Sequence, residues 1–147
     1  MKERFETFTV LINKISRSIK KLKNQEMAEY GLRSTHVSCL YHLYTANSLT
    51  ATELSERCEE DKATISRSVD FLEENGFCFC ESKSAKRYNS PIMLTDKGRL
   101  VGQEISKKVN SILDQVGEGL SDPERVEFYR CLGIICENLE KAANCNG

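Results

Sequence analysis

Residues 49–98 read LTATELSERCEEDKATISRSVDFLEENGFCFCESKSAKRYNSPIMLTDKG, and the order of signals in this stretch decides the fold class. Thr50-Ala51-Thr52-Glu53 is a capping-box sequence, in which a hydroxyl and a carboxylate three residues apart satisfy free backbone N–H groups. It predicts a short helix burying Leu54 and Cys58. Asp61 then predicts the N-cap of a second helix, with Ile65, Val69 and Leu72 as its inner stripe and Asn75-Gly76 as its stop signal. Phe77-Cys78-Phe79-Cys80-Glu81 and Ser90-Pro91-Ile92-Met93-Leu94 read as two strands, joined through the polar residues 82–89 as a hairpin. Helix, tight turn, helix and basic hairpin, in that order, are the parts of a winged helix-turn-helix.

With the apolar stripe of the second helix turned inward, Lys62, Thr64, Ser66, Arg67 and Asp70 are left outward or lateral. Short hydroxyls near a helix start can approach phosphates and base edges. Arg67 is long enough to fork onto guanine O6 and N7. Lys62 in the first turn opposes the helix dipole, so a phosphate partner would account for it better than helix propensity does. At the hairpin tip, Lys83, Lys86 and Arg87 beside Tyr88 suit phosphate or minor-groove contact. The expected partner is double-stranded DNA, with Lys62, Thr64, Ser66, Arg67, Lys83, Lys86 and Arg87 as the candidate contacts. A solvated helix face and a charged soluble turn are the plain alternatives for each feature taken alone. A protein–protein adaptor that keeps the winged helix without DNA binding also stays open, because residues 53–61 are acidic and the net charge is only −1.

Outward from this module, Phe5, Phe8, Ile12, Ile15, Ile19 and Leu22 recur at heptad-like spacing on one helix that also carries Lys14, Arg17, Lys20, Lys21 and Lys23. Gly31 marks a break. A helix follows from Ser34, a plausible N-cap, to Thr45, with Val37, Leu40, Tyr41 and Tyr44 expected to be buried. Thr95 predicts the cap of a long helix lined by Val101, Ile105, Val109, Ile112 and Val116, which Gly117 and Gly119 end. Ser121-Asp122-Pro123-Glu124 is a second capping box, and Val126, Tyr129, Leu132, Ile135, Cys136 and Leu139 stripe the helix after it. The expected fold is mainly α with a small β-wing, a single domain over residues 1–147. Residues 34–99 would form the winged helix-turn-helix lobe, and residues 1–33 and 100–147 the helical dimerisation lobe. The terminal stripes exceed what so small a module can cover, so a homodimer is expected.

Composition narrows the function classes. A chain that is 39% hydrophobic and 29% charged reads as a soluble globular protein. It has no apolar run of about 18 residues, so no membrane partner is expected. The charged start Met1-Lys2-Glu3-Arg4-Phe5-Glu6 does not suit a signal peptide, which points to the cytoplasm. Neither a nucleophile elbow nor a phosphate-binding glycine loop is readable, so no enzyme is expected. The seven cysteines include no C-x-x-C pair and read as reduced, packed thiols; Cys39 and Cys58 are expected on buried faces. His36-x-x-Cys39-x-x-His42 spaces ligand types one helical turn apart, but a closed zinc site needs four ligands and the outer pair diverges. Neither a metal nor a cofactor is expected. Tyr30, His36 and Tyr41 are candidates for binding a small aromatic or lipophilic effector.

Leu54-Ser55-Glu56-Arg57 followed by residues 61–76 (DKATISRSVDFLEENG) resembles the helix-turn-helix signature of the MarR (multiple antibiotic resistance regulator) family. Leu94-Thr95-Asp96-Lys97-Gly98 is similar to that family's end-of-wing motif, and Leu120-Ser121 with its helix to the closing dimerisation helix. The resemblance implies a homodimeric winged helix on pseudo-palindromic operators, usually a repressor, released in many members by small phenolic or lipophilic effectors. By motif position, Thr64, Ser66 and Arg67 match recognition-helix contacts and Arg87 the wing arginine. Two departures stand out: Lys86 occupies the place of the usual wing aspartate, and Cys58-Glu59-Glu60 lacks the glycine often found in the turn.

Overall fold

The computed structural model describes residue 4, residues 6–81 and residues 89–145, so the wing-tip cations Lys83, Lys86 and Arg87 lie outside the described residues. Residues 1–107 and 108–147 form two compact units. A π-helical turn, Glu6–Val10, leads into α1, Leu11–Glu26. Then come α2 (Ser34–Ala46), β1 (Ser48–Leu49), α3 (Ala51–Cys58) and α4 (Lys62–Glu74). Strands β2 (Cys78–Cys80) and β3 (Ile92–Leu94) precede α5 (Asp96–Val116) and α6 (Asp122–Cys145). This is the mainly α, small-wing architecture expected.

The antiparallel sheet has the order β1-β3-β2. Met93 pairs with both Ser48 and Phe79, so the central strand ties the wing to the segment leaving α2. The core of the first unit gathers Met27, Leu40, Leu43, Leu54, Ile65, Leu72, Ile92 and Ile105, each less than 2% exposed. Burial of one such aliphatic side chain contributes roughly 1.5–3 kcal/mol, so α4 is held from beneath by its whole inner stripe.

The capping box at Ser121 forms in full, and the one at Thr50 forms its hydroxyl half. The Thr50 hydroxyl accepts from the Glu53 N–H at 3.2 Å. The Ser121 hydroxyl accepts from the Glu124 N–H at 3.3 Å, and the Glu124 carboxylate accepts from the Ser121 N–H at 2.8 Å. The start of α2 differs from expectation. Its N-cap is Arg33, whose N–H donates to His36 Nδ1 at 3.0 Å. Ser34, read as the cap, is already helical, and its N–H donates to Asn24 Oδ1 at 2.7 Å. Burial on α2 is also rotated: Cys39, Leu40 and Leu43 are fully buried, while Tyr41 and Tyr44 are half-buried. The cause is that α2 is packed by α1, α3, α4 and β3 together, so its buried arc centres on Leu40 and Leu43.

Two elements carry apolar stripes without burial. In α1, Phe8 of the preceding turn, Leu11, Ile12, Ile15 and Ile19 are all exposed. In the second unit α6 has no buried residue, and Val126, Tyr129 and Leu139 are more than half exposed. The stripe of α5 is likewise graded: Val101 and Ile105 are buried, whereas Val116 is 70% exposed.

Candidate nucleic-acid interface

The helix expected to read DNA is α4, and its first turn is organised by Asp61. That residue is extended (φ −70°, ψ 161°), and its Oδ1 accepts from the Thr64 N–H at 2.6 Å. Hydrogen bonds from the Thr64 backbone and hydroxyl hold the Asp61 carboxyl below its usual range, helped by the Arg67 charge. A carboxylate here also complements the positive end of the helix. Behind it, Ile65, Ser68, Val69 and Leu72 are buried.

Lys62 and Arg67 are exposed, and Thr64 and Ser66 are half-buried. Arg67 Nη2 donates to Thr64 Oγ1 at 3.3 Å. Thr64 thus serves two neighbours, its N–H on Asp61 and its hydroxyl on Arg67. Lys62 and Ser66 stand one helical turn apart, so all four side chains occupy the first two turns of one helix. In helix-turn-helix proteins the N-terminal end of the second helix is the part that contacts base edges.

The turn before α4 is held by backbone hydrogen bonds and by the Ser55 hydroxyl. Glu59 ends α3 in the left-handed region (φ 54°, ψ 43°). Its N–H and that of Glu60 both reach the Ser55 carbonyl, and the Ser55 hydroxyl donates to the Glu60 carbonyl at 2.6 Å. The sharp turn therefore forms without glycine, and α3 is not extended. A non-glycine residue there costs about 1–2 kcal/mol.

The far end of α4 is fixed by the motif at residues 94–98. The Thr95 hydroxyl donates to the Gly76 carbonyl at 2.6 Å and accepts from the Gly98 N–H at 3.1 Å. Lys97 Nζ donates to the Asn75 carbonyl at 2.8 Å and lies 4.4 Å above the Phe77 ring. A Cβ on Gly98 would stand 1.9 Å from the Phe77 carbonyl oxygen, so this close approach requires glycine. The motif clamps the stop of α4 onto the start of α5, with Thr95 as the cap that the sequence predicts. β2 and β3 pair beside it, with Cys78 opposite Leu94 and Cys80 opposite Ile92.

The three candidate effector residues are engaged separately. The Tyr30 hydroxyl donates to Glu104 Oε2 at 2.8 Å, which with burial pushes its pKa up. His36 stacks on Phe71 of α4 with centroids 4.2 Å apart, and burial then the Arg33 charge hold its pKa below the ordinary value. Tyr41 stands edge-on to His42 at 5.4 Å. A cleft lined by Leu43, Tyr44, Asn47, Leu94 and Arg99 encloses about 100 Å³ and includes none of the three. Small-molecule sites run to roughly 300–1,000 Å³. Among the described residues no group of three His, Cys, Asp or Glu side chains is placed to hold a metal ion.

Residues 32–79 match the family model described as MarR family. The chain is 27% identical over 117 residues to the Bacillus subtilis (strain 168) protein named uncharacterized HTH-type transcriptional regulator YwoH, covering 80% of this chain and 85% of that protein. It is 28% identical over 127 residues to the HTH-type transcriptional repressor YetL of the same organism, covering 85% and 76%. The fold superposes on MepR of S. aureus, solved as a MepR–DNA complex, with a TM-score of 0.78 at 18% identity over 90% of this chain and 97% of that one. Residues 32–79, which hold α2, α3 and the capped α4, therefore match the MarR family's model, and the chain is similar to HTH-type transcriptional regulators.

Proposed function

We propose that the chain is a cytoplasmic repressor that binds double-stranded DNA as a homodimer, one α4 entering each major groove of a two-fold symmetric operator. The observation that carries this is the build of α4. Its first two turns present Lys62, Thr64, Ser66 and Arg67, while its inner stripe is buried and both of its ends are held. In this proposal Arg67 reads a guanine edge, Lys62, Thr64 and Ser66 meet phosphates and neighbouring base edges, and Lys83, Lys86 and Arg87 of the wing take the flanking backbone. The name of YetL supports repression, and the MepR complex supports DNA as the ligand. Dimerisation is supported by the apolar stripes of α1 and α6, exposed in each element. Among the described residues no helix is long and apolar enough to cross a membrane.

Selection of genomic fragments with purified protein, followed by footprinting at two salt concentrations, tests the proposal. A protected pseudo-palindrome of roughly 16–20 bp with steep salt dependence is expected. Absence of any enriched site at low salt would favour the adaptor. Release by a small aromatic or lipophilic effector, with Tyr30, His36 and Tyr41 as its candidate contacts, is tested by titrating aromatic acids against the selected complex.

A further inference from the structure

Two hydrogen bonds run in series along the first two turns of α4. Asp61 Oδ1 accepts from the Thr64 N–H at 2.6 Å, and Thr64 Oγ1 accepts from Arg67 Nη2 at 3.3 Å. The first bond fixes the backbone at Thr64. Branching at Cβ then leaves the Thr64 side chain few rotamers. Thr64 is also half-buried, and Ile65 after it is fully buried, so the hydroxyl is a fixed point on the helix surface. Arg67 is the opposite case. Its side chain is long and exposed, with much rotamer freedom to lose on binding. Among the described residues the Thr64 hydroxyl is the one hydrogen-bond partner of its guanidinium. Lys62 and Ser66, the other two candidate contacts in these turns, have no comparable tie among the described residues.

We propose that Thr64 is a positioning residue for base reading: its hydroxyl holds the Arg67 guanidinium where it can fork onto a guanine edge. The inference rests on the reading of DNA by α4 proposed above, and it adds which residue sets the reach of Arg67. A guanidinium carries five N–H donors. The bond to Thr64 uses one hydrogen of Nη2. The second Nη2 hydrogen still completes a fork, with Nη1 if the Thr64 bond lies on the Nε side, and with Nε if it lies on the Nη1 side. Arg67 therefore keeps a two-pronged face for guanine O6 and N7 while it is anchored. An anchored side chain surrenders less freedom when it binds. It is also held from swinging to a neighbouring base or phosphate. The gain is in discrimination at one base pair.

The test compares the full-length chain with Thr64→Val and Thr64→Ser. The first removes the hydroxyl at nearly constant shape and keeps the N–H on Asp61; the second keeps the hydroxyl. In the free protein, NMR relaxation of the Arg67 Nε–H group reads the order of its side chain. Arg67 should be more ordered than Arg57 and Arg99, which are exposed and have no hydrogen-bonded guanidinium among the described residues. That order should be lost in Thr64→Val and regained in Thr64→Ser. On DNA, the readout is affinity for the selected operator divided by affinity for each single-base-pair variant. Thr64→Val should lower this ratio about 2–10-fold at the base pair that Arg67→Ala identifies, the range of one net hydrogen bond. Thr64→Ser should restore it, and in an Arg67→Ala background Thr64→Val should leave it unchanged. Arg67 as mobile as Arg57 in the unaltered chain would overturn the proposal. So would a Thr64→Val loss that is equal on every duplex and undiminished without Arg67. An unaltered chain that prefers no duplex, while Thr64 still orders Arg67, would refute base reading by α4 and leave the anchor itself standing.

Discussion

Helices α4 and α6 begin alike and end differently. Each opens on a side-chain cap, Asp61 for α4 and the Ser121–Glu124 box for α6, and each carries a regular apolar stripe. The stripe of α4 is covered: Ile65 and Leu72 have no exposed surface and Val69 is 2% exposed. The stripe of α6 is open, with Val126 68% and Leu139 53% exposed. Local signals therefore set where a helix starts in both cases, but not what covers it. A helix draws most of its stability from packing of its amphipathic face. For α4 that packing comes from residues 1–107; for α6 the proposed homodimer supplies it.

Substitutions separate the two situations. The largest effect is expected at the covered stripe, where Leu72→Ala should cost about 2–5 kcal/mol in urea unfolding, since a buried leucine leaves a cavity. Its counterpart on the open stripe, Leu139→Glu, should move sedimentation from dimer to monomer and leave the urea stability of residues 1–107 unchanged, the interface losing about 1.5–3 kcal/mol per buried leucine. A fall in the urea stability of residues 1–107 equal to that of Leu72→Ala would erase the contrast. On the outward face of α4, Arg67→Ala should cost about 1–3 kcal/mol at one base-pair position while leaving other positions unaffected, measured by competition with single-site operator variants. At the turn before α4, Glu59→Gly should stabilise the fold by about 1 kcal/mol, because it relieves a left-handed φ of 54°.

The smallest expected effect is on pH. His36 and His42 are held below their ordinary value, each first by burial. A depressed folded pKa means that the unfolded chain binds protons more readily. Stability is therefore full above the unfolded value of 6.5 and falls as pH drops through the folded values. Protonated His36 can no longer accept the Arg33 N–H, so the start of α2 should loosen with it. Thermal melts between about pH 8 and pH 5 should show the fall, and His36→Phe should flatten it.

Much of this was legible because it is local. Capping at Thr50, Asp61 and Ser121 depends on residues three apart, and the stripe of α4 on helical period. What was not legible depends on neighbours distant in sequence. The N–H of Ser34 is taken by Asn24 and the cap passes to Arg33, because α1 reaches the start of α2. Leu43 displaces Tyr41 and Tyr44 from the core because α2 is enclosed by several elements. Of the candidate DNA contacts, periodicity separates Lys62 and Arg67 from the stripe, but the Asp61–Thr64–Arg67 connection needs side-chain geometry.

The central claim is that α4 reads a base sequence, and equilibrium binding to the selected operator and to a scrambled duplex across a salt series tests it most directly. Tighter binding to the operator is expected, by roughly 10³-fold or more, with log affinity falling linearly with log salt for both duplexes and Arg67→Ala narrowing the gap between them. Equal, salt-insensitive affinity for the two duplexes, unchanged in Arg67→Ala, would contradict it.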